Sequence, residues 1–81
     1  MRTEQEIKSR IHELEEVMNS AITRYYRGDY SGKVLKEIYS DVWDEMKALY
    51  WVLGNSSIEA TIVVARKVTK MVDEIKAAMT E

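Results

Sequence analysis

Two pairs of carboxylates stand three residues apart, Glu13-x-x-Glu16 and Asp41-x-x-Asp44. Positions i and i+3 of a helix share a face, so each pair can present its oxygens together. Four such oxygen donors suit a hard divalent cation such as Mg2+, and the chemistry open to them is metal-assisted attack on a phosphate chain. His12, the single histidine, stands one turn before Glu16 and adds at most a two-ligand half-site. The chain has no cysteine, which removes thiolate nucleophiles, thiolate metal sites and disulfides. No serine is marked as an activated nucleophile by its neighbours. The same helical periodicity sets Glu13, Glu16, Asp41 and Asp44 away from the apolar stripes of their segments, where solvated charges belong.

A second chemistry-bearing stretch is Arg24-Tyr-Tyr-Arg-Gly-Asp-Tyr-Ser-Gly-Lys33. Its glycines and lysine suggest a phosphate loop. A Walker loop, however, has four residues between its glycines, a Ser or Thr after its lysine and a strand before it, and none of these is present. With Lys36 the stretch holds Arg24, Arg27, Lys33 and Lys36 against Asp29 alone. Tyr25, Tyr26 and Tyr30 lie among them, so it can contact phosphates and stack bases. It also has what a helix linker needs: glycines for a turn, Asp29 or Ser31 for the next cap, and amphipathic tyrosines to close the end of a bundle. The linker account covers every residue but the arginines.

The elements that would carry these residues follow from where the chain can bend. Proline is absent and the three glycines fall in two places, Gly28 with Gly32, and Gly54. Between them lie three segments rich in helix formers, roughly residues 4–27, 31–53 and 57–80. Thr3-x-x-Glu6 and Ser56-x-x-Glu59 both fit a capping box, and Gly54 stands where a left-handed C-terminal residue belongs. The short Gly54 to Ser56 linker predicts an antiparallel hairpin of the second and third helices.

Apolar residues recur at alternating steps of four and three, the spacing that gathers side chains on one stripe. The first helix has Ile7, Ile11, Leu14, Met18, Ala21 and Tyr25. The third has Thr61, Val64, Val68, Met71, Ile75 and Ala78, flanked by Ala65, Val72 and Met79. The second has a wider face of Leu35, Ile38, Tyr39, Val42, Trp43, Met46, Leu49, Tyr50 and Leu53, wide enough for two neighbours. The expected fold is all-α, a single domain over residues 1–81 forming an up-down-up three-helix bundle with the second helix central. Its rival is a first helix that packs across a dimer, since heptad spacing serves a coiled-coil partner equally well.

Two residues break the pattern near the hairpin turn. At about 100° per residue, Trp51 falls opposite its helix's stripe, among Lys33, Ser40, Asp44 and Lys47. Val63 falls outside the third stripe, between Glu59, Arg66, Lys67 and Lys70. Tryptophan is enriched at binding hot spots, so Trp51 and Val63, with Ile62, form the candidate protein interface. The competing account folds Trp51 back over the turn as a lid on the bundle end.

Composition limits the function classes further. The 81 residues are 46% hydrophobic and 32% charged, with a net charge of -2 from mixed acids and bases, which argues against a surface tuned throughout to nucleic acid. The N-terminal MRTEQEIKSR lacks an apolar signal core and no apolar run is long enough for a bilayer, so a cytoplasmic location without membrane insertion is expected.

In spacing, the acidic pairs resemble those of MazG-like all-α nucleotide pyrophosphatases, in which four carboxylates hold magnesium over a triphosphate. The second pair here begins with Asp in place of Glu, and the chain lacks that family's additional helix. Trp51-Val-Leu-Gly54 at a helix turn resembles the Trp-x-Gly turn of the secreted WXG100 proteins, with an extra residue between Trp and Gly and a full helix before the hairpin. Thr3-Glu4-Gln5-Glu6-Ile7 and Ala48-Leu49-Tyr50-Trp51-Val52-Leu53-Gly54 are similar to segments of small helical proteins of prokaryotes and their viruses that carry no assigned activity.

With no catalytic group, cofactor loop or metal cage in evidence, the expected function is a non-catalytic helical interaction or adaptor module working without a cofactor. It is expected to act as a homodimer or with a protein partner. The alternatives are a nucleic-acid-binding protein using residues 24–36 and a magnesium-dependent pyrophosphatase using Glu13, Glu16, Asp41 and Asp44.

Overall fold

The computed structural model describes residues 3–80, and these form three helices: α1 (Glu4–Tyr26), α2 (Gly32–Val52) and α3 (Ser57–Thr80). Their starts follow from side-chain caps. The Ser31 hydroxyl accepts from the Val34 N–H at 3.2 Å, so Ser31 caps α2 rather than Asp29. Ser56 and Glu59 form the full reciprocal box, with Glu59 N–H donating to Ser56 Oγ and Ser56 N–H to Glu59 Oε1, both at 3.1 Å. At α1, Thr3 Oγ1 accepts from the Glu6 N–H at 3.2 Å while its own hydroxyl donates to the Glu6 carboxylate at 3.1 Å.

The first two helices end in the same way. Gly28 and Gly54 have φ of 88° and 103°, the left-handed region that only glycine enters at little cost. Each is followed by the paired hydrogen bonds of a Schellman ending. Gly28 N–H donates to Tyr25 O and Asp29 N–H to Arg24 O; Gly54 N–H donates to Trp51 O and Asn55 N–H to Tyr50 O. These bonds satisfy carbonyls that the helix leaves open. Gly32 does something different, opening α2 where an added Cβ would meet the Tyr25 ring at 3.9 Å, ordinary contact distance.

The three helices close on one another within the chain, each touching both others, in a body about 40 × 21 × 21 Å. The core is Ile7, Ile11, Leu14, Met18 and Ile22 from α1, Val42 and Met46 from α2, and Val64, Val68 and Ile75 from α3. Leu35, Ile38, Tyr39, Trp43, Leu49, Tyr50 and Leu53 line it half-buried, which is the wide α2 face anticipated from the sequence. Because α1 packs inside its own chain, α1 does not need a dimer partner for its stripe.

Three stripe positions differ from expectation. Tyr25 is exposed and Ile22 is buried in its place, because Tyr25 stands in the last turn of α1, past the buried residues of that helix. Ala60 is buried where Thr61 is half-exposed, since a methyl group fits where α3 enters the bundle. Ala78 and Met79 are exposed at the far end of α3, past Ile75, the last buried residue of that helix.

Two charged contacts tie the helices together. Arg10 donates from Nε to Glu45 Oε2 at 2.6 Å and from Nη2 to Glu45 Oε1 at 3.0 Å, joining α1 to α2 as a bidentate fork. The hydrogen bonds to Glu45, then to Glu13, hold the guanidinium charged above its already high ordinary range. Lys67 Nζ lies 2.7 Å from Glu15 Oε1, joining α3 to α1, and that hydrogen bond raises the Lys67 pKa.

Candidate functional site

Among the described residues, the hairpin end of the bundle holds the three most exposed large apolar side chains, Ile58, Trp51 and Val52. Trp51 is 64% exposed and Val52 54% at the end of α2, and Ile58 is 73% and Ile62 44% exposed on the first turns of α3. Four large apolar residues between positions 51 and 62 therefore face solvent around one turn. The turn itself is held by the Gly54 ending, by Asn55 Nδ2 donating to Tyr50 O at 3.0 Å, and by the Ser56 and Glu59 box. The scaffold under the exposed residues is thus fixed on both sides.

At 64% exposure Trp51 is not buried against the bundle end. It lines a shallow groove between α2 and α3 with Asp44, Lys47, Ala48, Ser57 and Ala60. Val63, expected beside it, is half-buried and does not line that groove, and neither does Ile62. Sequence reasoning missed Val52 and Ile58. The signal for Ile58 was present: it stands four residues before Ile62, so the two share the outer face of α3.

The basic and tyrosine-rich segment divides. Arg24 is engaged with Tyr30, donating from Nη1 to the phenol oxygen at 3.3 Å with its Cζ 5.6 Å from the ring centroid. Tyr25 and Tyr26 meet edge to face at 5.4 Å. The Arg24–Tyr30 contact fastens the α1–α2 linker to α1. Arg27, Lys33 and Lys36 are exposed, and none of them forms an ion pair among the described residues.

The acidic pairs are not brought together. Glu13 takes the Nη1 donor of Arg10 at 3.0 Å, and Glu16 Oε1 lies 3.1 Å from His12 Nε2. Asp41 and Asp44 stand exposed on α2. Among the described residues no three His, Asp or Glu side chains are grouped as they would be to hold a metal ion. Glu13 and Glu16 thus serve separate local contacts, while Asp41 and Asp44 make no ion pair among the described residues. No helix among the described residues is long and apolar enough to cross a membrane.

Comparison of the chain with family models, with curated proteins and with solved structures finds no match.

Proposed function

We propose that the chain is a small, cytoplasmic, non-catalytic protein-interaction module that self-associates through the surface around Trp51. The observation that supports this is the exposure of Trp51, Val52, Ile58 and Ile62 around a rigid turn, in a bundle whose own core is complete without them. Apolar side chains left in water gain about 25 cal/mol for each Å2 of area that a partner covers. A tryptophan on a firm scaffold loses little conformational entropy when covered, which is why such residues dominate contact energies. The mixed charges beside it, Asp44 and Lys47, form the polar rim that a reversible interface needs.

Light scattering across a wide concentration range tests the reading. The mass should rise from the 9.4 kDa of one chain toward that of two as concentration increases, and Trp51→Lys should hold it at one chain with unchanged helicity. A wild-type chain that stays single at every concentration would sink the proposal.

A second reading, nucleic-acid binding, is supported by the unpaired Arg27, Lys33 and Lys36 near the exposed Tyr25 and Tyr26. It expects binding to single-stranded DNA or RNA that weakens steeply with salt and with Arg27→Ala.

A further inference from the structure

The outer face of α2 carries Lys33, Glu37, Ser40, Asp44, Lys47 and Trp51, at steps of four, three, four, three and four. That is heptad spacing, on the side of the helix away from its buried stripe, where Asp44, Lys47 and Trp51 also border the groove toward the start of α3. Lys47 is half-exposed and the others are exposed. Several surface charges find partners within the chain: Glu4 with Lys8, Arg10 with Glu13 and Glu45, Glu15 with Lys67, Lys70 with Glu74. Among the described residues the charges of this face do not, as Arg27, Lys36, Asp41 and Arg66 do not elsewhere. Lys33, Glu37, Asp44 and Lys47 make no ion pair among the described residues, although Lys33 and Glu37 stand one helical turn apart.

We infer that the partner seated on this face is a second copy of the same chain, with the two α2 helices antiparallel about a two-fold axis level with position 42. The inference rests on the proposed self-association at Trp51 and supplies its geometry. Under that symmetry every residue of the seam meets a complement. Lys33 faces the second copy's Trp51, placing an ammonium and its aliphatic stem on the indole face. Glu37 faces the second copy's Lys47, and the Ser40 hydroxyl faces a carboxylate, the second copy's Asp44. Each pairing occurs twice, as an isologous interface requires. A heptad seam meets its antiparallel copy in this way because each four-step on one helix lies against a four-step on the other. A parallel pair would set Glu37 against Glu37 and Lys47 against Lys47, which repel. The seam spans about 27 Å at 1.5 Å per residue, and Ser40 and Ala48 are small enough to let the helices approach.

The test is charge reversal, read as the dissociation constant from concentration-dependent light scattering, with helicity followed by circular dichroism. Glu37→Lys and Lys47→Glu, made singly, should each weaken association about tenfold or more. Each places like charges opposite one another twice. The double variant Glu37→Lys/Lys47→Glu reverses both members of every pair and should restore the wild-type constant to within about threefold. Single variants that associate like wild type, or a double variant that fails to recover, would overturn the antiparallel α2 geometry. Trp51→Lys separates this failure from that of the broader proposal. If Trp51→Lys splits a wild-type dimer that the charge variants do not follow, self-association stands and only the geometry falls. If the wild type never associates, both fall.

Discussion

Gly54 carries a constraint that its surroundings do not. Its φ of 103° is costly for any residue with a Cβ, yet a Cβ built there meets nothing within 4 Å. Gly54→Ala therefore isolates the backbone term, and it should destabilise the fold by about 1–2 kcal/mol. For a domain of this size that is a fall in Tm of about 4–8 °C per kcal/mol, measured by thermal unfolding followed at the helical circular-dichroism band. Two residues on, Ser56 sets the charge state of Glu59. The Ser56 hydroxyl and N–H, in that order of effect, hold the Glu59 carboxyl below its ordinary pKa of 4.5. A depressed folded pKa means stability that is present above the unfolded value and is lost as pH falls through the folded one. Ser56→Ala removes the larger cause, so the Glu59 midpoint in an NMR titration should move up toward the ordinary value. The acid limb of the stability curve should then begin less steeply. An unmoved midpoint would show that the backbone N–H alone sets the pKa.

Helices packed this simply depend on a few side chains that no solvent reaches. Met18, Met46 and Val64 are the largest of these, and Met46 sits where α2 faces both neighbours. Met46→Ala should cost about 2–5 kcal/mol, from lost transfer energy plus the cavity left behind. Stability of about 0.05–0.15 kcal/mol per residue implies only about 4–12 kcal/mol for the domain, so the variant should lose a large part of its resistance to urea. An unchanged urea midpoint would mean that neighbouring side chains collapse into the space. The elements themselves were legible because their boundaries are written in residue chemistry: Ser56 as a cap, Asp29 or Ser31 as the choice for α2, Gly54 as a left-handed ending and Gly28 as a place to bend. Which stripe residues would be covered at the helix ends was less legible. Periodicity gives direction around a helix and says nothing about where the neighbouring helix stops. Tyr25 points along the stripe but lies past the packed centre, whereas Ile22, one turn earlier, is enclosed.

At the scale of the whole molecule, the balance between closing one core and leaving another surface open defines what the chain can do. Trp51 could be picked out from the sequence because it contradicts the stripe of its own helix, and Ile62 only as a neighbour of Val63. Val63 contradicted its own stripe too, yet it is half-buried, since neighbouring chain shields positions on the flank of α3 that a single-helix projection treats as open. The proposed pairing of α2 with a second copy can be tested with the indole itself. The chain has two tryptophans, and Trp43 is half-buried with its ring 5.4 Å from that of Tyr39. In Trp43→Phe the exposed Trp51 is the sole reporter, and its emission should begin at the long wavelength of an indole in water. As concentration rises, the emission should shift to shorter wavelength over the same range in which the mass doubles. Glu37→Lys in that background should delay the shift to higher concentration, and adding Lys47→Glu should bring it back, because the ion pairs lie on the same seam as the indole. A mass that doubles while Trp51 emission stays fixed would locate the contact elsewhere on the bundle, with the outer face of α3 at Ile58 and Ile62 the next surface to substitute.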